Sequence, residues 1–130
     1  MRKDHRRIEQ LLLLAGEVPI DDAELRRVLD TVDAHLDAEV SVLYPLVERW
    51  LPDRIGAVRE LRARLKDSLA RVWALKGRAR QSEVAALRAE FRDHARLEER
   101  VVLPALEGLL TASALGDLGA HFGRARITRT

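Results

Sequence analysis

Two stretches of the chain carry the same arrangement of imidazole, carboxylate and proline. Residues 35–48 read HLDAEVSVLYPLVE, and residues 94–107 read HARLEERVVLPALE. Each holds His-x-x-x-Glu, a Pro ten residues after the His, and a Glu three beyond that. These are His35, Glu39, Pro45 and Glu48 in the first copy, and His94, Glu98, Pro104 and Glu107 in the second. On a helix, residues i and i+4 lie one turn apart on a single face. An imidazole and a carboxylate stacked this way can hold one metal ion or share a pair. Both pairs fall on apolar seams: Val84, Leu87 and Phe91 precede His94, with Val102 and Ala105 beyond Glu98. Val28 and Val32 precede His35, with Leu43 and Leu46 beyond Glu39. Ionisable groups in an apolar stripe are costly unless paired or bound. The same defect on two helices points to a shared cation.

His5 lies on a further seam with Ile8, Leu12 and Ala15, which supplies a third imidazole. Taken alone, His5 reads equally well as a surface histidine, and His35 with Glu39 as a structural pair. The second copy at the same spacing favours metal. Imidazole and carboxylate without sulfur suit iron, manganese or zinc. Two facing carboxylates can bridge two ions, with water or oxide in the remaining bridge. Coordination positions then stay open, and on iron these are where dioxygen, peroxide or nitric oxide can bind.

The elements that must position these groups are helical throughout. The first predicted helix covers residues 2–15 and ends near Gly16. GEVPIDD is a loop, with Asp21 or Asp22 capping a helix over 22–50. Pro45 must kink or loosen that helix. Leu51-Pro52-Asp53 is a break. A third helix spans 53–76, buries Ile55, Val58, Leu61, Leu65, Leu69 and Val72, and stops at Gly77. The link KGRARQS leads to Ser82 as an N-cap, and a fourth helix covers 82–110. A short fifth helix beginning at Thr111 or Ser113 is interrupted by Gly116 and Gly119, and RARITRT frays. Four helices with short links predict an all-α, up-down-up-down antiparallel bundle over residues 1–110 with a short extension over 111–130. The chain reads as a doubled helical hairpin.

Composition narrows the function classes. The 130 residues suit one domain, and 47% hydrophobic with 34% charged residues fits helices with solvated outer faces. A formal net charge of +2 gives nucleic-acid binding little support. The absence of cysteine removes disulfides and thiolate sites. No run approaches the roughly 20 apolar residues of a membrane span, and LLLLA is too short for a secretory signal. The expectation is a soluble cytoplasmic protein, a monomer or weak homodimer. There is no phosphate loop, and Ser41 lies outside any triad context.

Asp4-His5, His35 to Glu39 followed by Tyr44-Pro45, and His94 to Glu98 followed by Glu99 together resemble the haemerythrin-like HHE cation-binding domain family. The resemblance covers roughly residues 3–110. It implies a four-helix bundle enclosing a non-haem di-iron centre, with His5, His35, Glu39, His94 and Glu98 as ligands. It also implies oxygen binding, iron handling, or sensing and detoxification of nitric oxide and peroxide. The leading expectation is a protein that binds or senses dioxygen, nitric oxide or peroxide. A peroxidase-like, catalase-like or ferroxidase enzyme is the alternative, and a metal-free interaction module the third reading.

One position departs from the family pattern, because Val58 stands where a histidine is usual on the third helix. Either one iron is under-ligated, or a single metal is held, or Glu60, Tyr44 or water substitutes; His121 is the spare histidine. Tyr44 either donates a hydrogen bond above the pocket or packs. Asp4 either orients an imidazole or caps its helix. Glu99, Asp37, Glu48 and Glu107 are expected at the surface, and Trp50 and Trp73 as core or bundle-end fillers.

Overall fold

A computed structural model describes residues 2–17, 21–110 and 112–128. Val18-Pro19-Ile20 of the predicted loop lie outside the described residues, as do Met1, Thr111 and the last two residues of the tail. Every regular element is helical, and no strand occurs among the described residues. None of these helices is long and apolar enough to cross a membrane.

Helix α1 (Arg2–Glu17) buries Ile8, Leu12 and Ala15 on the face that also carries His5. Helix α2 (Asp22–Val42) starts at Asp21, whose carboxylate accepts the Glu24 N–H at 2.8 Å. That bond satisfies a donor the first turn would otherwise leave orphaned. The helix expected to run to residue 50 breaks at Leu43, and α3 (Tyr44–Trp50) restarts with Pro45 in its first turn. Pro45 has no N–H for the Ser41 carbonyl, and its ring crowds that carbonyl. A proline is tolerated only in a first turn, so the chain makes one.

Helix α4 (Ile55–Ala74) is followed by α5 (Gly77–Leu97), and the link between them is shorter than expected. Gly77 does not end α4. It opens α5 with φ +60, a conformation that costs other residues about 1–2 kcal/mol. Ser82 is not a cap but an exposed residue inside α5. The earlier start follows from Arg80, whose Nε–H donates to the carbonyls of Val72 (3.1 Å) and Leu75 (2.7 Å). One guanidinium thereby ties the end of α4 to the first turn of α5.

The second proline, Pro104, also falls in the first turn of a new helix, but the chain reaches it by a different turn. Residues Glu98–Val102 form a π-helical turn before α6 (Leu103–Leu109). Here the Leu103 N–H donates to the Glu98 carbonyl, five residues back. In the first copy the Leu43 N–H donates to Glu39, four back, at 2.8 Å. The C-terminal segment also differs from expectation. Helix α7 (Ala112–Thr128) runs unbroken through Gly116 and Gly119. Each glycine costs about 1 kcal/mol in a helix interior, and packing of α7 along α2 with burial of Phe122 offsets that cost.

Helices α1, α2, α4 and α5 close a ring, in which α1 touches α2 and α5 while α4 touches the same two. The interior holds two apolar clusters. The larger includes Ile8, Leu12, Leu29, Leu36, Leu65 and Phe91. The smaller comprises Leu43, Tyr44, Val47, Val58, Val102 and Leu106. On both α2 and α5 the His-Glu pair falls between them. Trp50 and Trp73 do not fill the core: they are 39% and 37% exposed. Arg49 lies over the Trp50 ring at 5.0 Å and Arg26 over Trp73 at 5.2 Å, so the indoles serve as surface platforms for guanidinium groups.

Candidate metal centre

His5 from α1, His35 and Glu39 from α2, His94 from α5 and Glu98 from the π turn meet at one point inside the bundle. All five side chains are buried, and one ligand atom from each lies within 4.8 Å of every other. The residues singled out by spacing are therefore brought together, each by a local cause. The i, i+4 spacing puts His35 above Glu39, and their Nε2 and Oε1 atoms are in direct contact. The same spacing sets His94 Nε2 3.2 Å from Glu98 Oε2. The ring of helices then crosses the pairs. Glu39 Oε2 lies 2.9 Å from His94 Nε2, and Glu98 Oε1 lies 2.9 Å from His5 Nε2.

All three imidazoles thus turn Nε2 toward the carboxylates. The far nitrogens of His35 and His5 meet other carboxylates. Asp4 Oδ2 is 2.5 Å from His35 Nδ1, and both side chains are buried. This settles the role of Asp4 in favour of orienting an imidazole. A carboxylate on one ring nitrogen fixes the tautomer and leaves the other lone pair facing inward. Glu99 Oε2 lies 3.7 Å from His5 Nδ1 and is 28% exposed, so it is closer to the centre than a surface residue would be. Asp37 is tied to α4 by Arg62 at 3.2 Å and Lys66 at 2.9 Å. Glu48 and Glu107 are exposed and pair with Arg59 and Arg2.

Two buried carboxylates dominate the electrostatics of the cluster. Burial disfavours protonated His5, yet the adjacent carboxylates of Glu39 and Glu98 outweigh it and raise its pKa from 6.5 to about 9. Burial likewise opposes the charged forms of His35 and His94, and the carboxylates likewise raise both. Burial works against ionised Glu39, but His94 and His35 hold it well below 4.5. The same carboxylates that favour protonated imidazoles would favour a bound cation.

Hydrogen bonding alone does not satisfy these groups. His5 Nδ1 and Nε2, His35 Nε2, Glu39 Oε2 and both Glu98 oxygens are buried without a hydrogen bond among the described residues. All of these except His5 Nδ1 lie on the inner side of the cluster, close together but without hydrogen-bond geometry. Orphaned buried polar atoms are rare in folded proteins and call for an explanation. A cation among them supplies one, and the nitrogen-oxygen donor set fits iron, manganese or zinc.

Helix α4 adds no donor to this group. Val58 is buried in the smaller apolar cluster. Glu60 is exposed and pairs with Arg64 at 2.7 Å. His121 is also exposed, 3.1 Å from Arg124. Neither joins the centre. Tyr44 is buried, and its hydroxyl donates to the Val58 carbonyl at 3.4 Å. Burial and the charges of Glu39 and Glu98 push its pKa up, so the phenol keeps its proton.

Two phenylalanines complete the walls. Phe91 packs against His5, His35 and His94 with ring centroids 5.8, 5.7 and 5.9 Å away. Its place on the seam one turn before His94 made it visible in the sequence. Phe122 of α7 stands edge-on to His35 at 5.1 Å and was missed. It sits in the glycine-flanked run GAHFG, where no apolar periodicity marks a buried face.

The sequence model of the Hemerythrin HHE cation binding domain matches residues 1–106. No curated protein and no solved structure matches the chain. The match stops short of α7.

Proposed function

The chain belongs to the hemerythrin HHE cation-binding domain family, and from that premise we propose that it holds iron in the His-Glu centre and presents it to dioxygen, nitric oxide or peroxide. The observation that carries the reading is the convergence of His5, His35, Glu39, His94 and Glu98, all buried, with ligand atoms within 4.8 Å of one another. Iron in such a site supplies a redox-active Lewis acid with room for an exogenous ligand. The protein's own groups do the rest. Asp4 holds His35 with Nε2 inward. Glu39 and Glu98 supply the charge that retains the cation. Phe91, Phe122 and the apolar clusters pack around the centre and keep bulk water from it. The four long helices, joined by short links and closed into a ring, are read as an up-down-up-down bundle.

Purified protein loaded with ferrous iron under argon tests this. Retained iron, with ultraviolet–visible bands that shift on adding nitric oxide, dioxygen or peroxide, is the expected result. No retained metal, or a loaded spectrum indifferent to all three, overturns it. Catalytic consumption of peroxide that needs iron would move the protein into the peroxidase-like class at the same centre.

A further inference from the structure

We propose that the centre is built for one cation and not for a pair. The inference rests on the cation-binding reading above and concerns how many ions these residues can hold. Three observations carry it, each independent of the metal's identity.

The first is spread. Metal–nitrogen and metal–oxygen bonds of about 2.1 Å place opposite ligands of one ion about 4.2 Å apart. Two ions in a shared site stand about 3.5–4 Å apart, so ligands at the two outer ends of such a pair stand about 8 Å apart. Here one ligand atom from each of the five residues falls within 4.8 Å of the others. No two of these donors therefore stand at the outer ends of a two-ion site.

The second is number. Three Nε2 atoms and the oxygens of two carboxylates are the donors that the cluster offers. With one oxygen from each carboxylate, they fill all but one position of an octahedral ion. They cannot come near filling two such ions. The fourth wall gives no help, because α4 brings Val58 and Leu65 to the interior, each in an apolar cluster.

The third is charge. Three neutral imidazoles and two carboxylates balance one divalent cation. A second would leave net positive charge in a site whose ligands are fully buried, where uncompensated charge is heavily disfavoured. The other nearby acids do not face inward. Asp4 and Glu99 are turned to the outer nitrogens of His35 and His5.

The test is stoichiometry of the intact chain. Metal-free protein is incubated anaerobically with excess ferrous iron and, separately, with excess zinc. After desalting, metal is measured by elemental analysis and native mass spectrometry. One ion per chain is expected for both metals. The iron-loaded protein, once oxidised, should show the electron paramagnetic resonance signal of an isolated high-spin ferric ion. Two ions per chain, or a coupled ferric pair silent in that measurement, overturns the one-cation inference and leaves cation binding standing. No bound ion overturns both.

Discussion

The Asp4 carboxylate and the His35 imidazole form a buried pair, Oδ2 to Nδ1 at 2.5 Å, between adjacent residues of neither helix but across the α1–α2 interface. The pair commits His35 to the tautomer that presents Nε2 to the centre. Replacing Asp4 with Asn keeps the shape and removes the charge. We expect cation affinity to fall roughly 10–100-fold with helix content unchanged. Competition against a chelator of known affinity, with circular dichroism as the control, measures it.

The metal-free protein should be most stable in mildly acidic solution. The His5 pKa is raised from 6.5 to about 9, so its contribution is complete below 6.5 and lost as pH rises through about 9. His35 and His94 are raised too and act in the same direction. Glu39 is lowered from 4.5, so its contribution is present above 4.5 and lost as pH falls through its folded value. The favourable window lies between those limits. A cation must displace the imidazole protons, so its stabilising effect should grow from pH 6 to 9. Melting temperatures of both forms across that range check the opposite trends.

Phe122 ties α7 to the centre. It is 4% exposed and lies 5.1 Å from the His35 ring. Phe122→Ala should cost about 3 kcal/mol, toward the lower end for a buried phenylalanine because the site borders the surface. It should also open His35 to water. Faster stripping of bound metal by a chelator is the expected kinetic sign. Denaturant unfolding gives the stability change.

Val58 is fully buried, and its carbonyl accepts the Tyr44 hydroxyl. Val58→Ala leaves that carbonyl in place and removes only packing. A loss on the order of 2 kcal/mol with metal content unchanged is expected. Metal content that fell with the substitution would give this wall of the bundle a part in the centre that its position does not suggest.

The five donors were legible because the helix repeat is local. A His and a Glu four apart on an apolar stripe announce their face without knowledge of any neighbour. What packs across elements was not legible. Asp4 reads as a cap or an orienting group until α2 is set beside α1. Past the second pair Val102 is buried as expected, but Leu103 and Leu106 are buried beyond it and the expected Ala105 only partly so. The π turn at Glu98–Val102 rotates every later side chain, and a straight 3.6-residue count has no means to anticipate it. Ser82 looked like a cap, but a long-range bond from Arg80 outweighed it. Helix α7 looked broken by its glycines because the partner that stabilises it, α2, lies far away in sequence.

The crossed pairing of donors has a consequence for assembly. Glu39 in the first hairpin reaches His94 in the second, and Glu98 in the second reaches His5 in the first. Cut between α4 and its predecessor, the chain would yield two fragments, each with a lopsided remnant of the donor set. Neither could grip an ion firmly by itself. The cation therefore acts as a clasp that fastens only when the two hairpins have docked in register, and its uptake would report completion of folding.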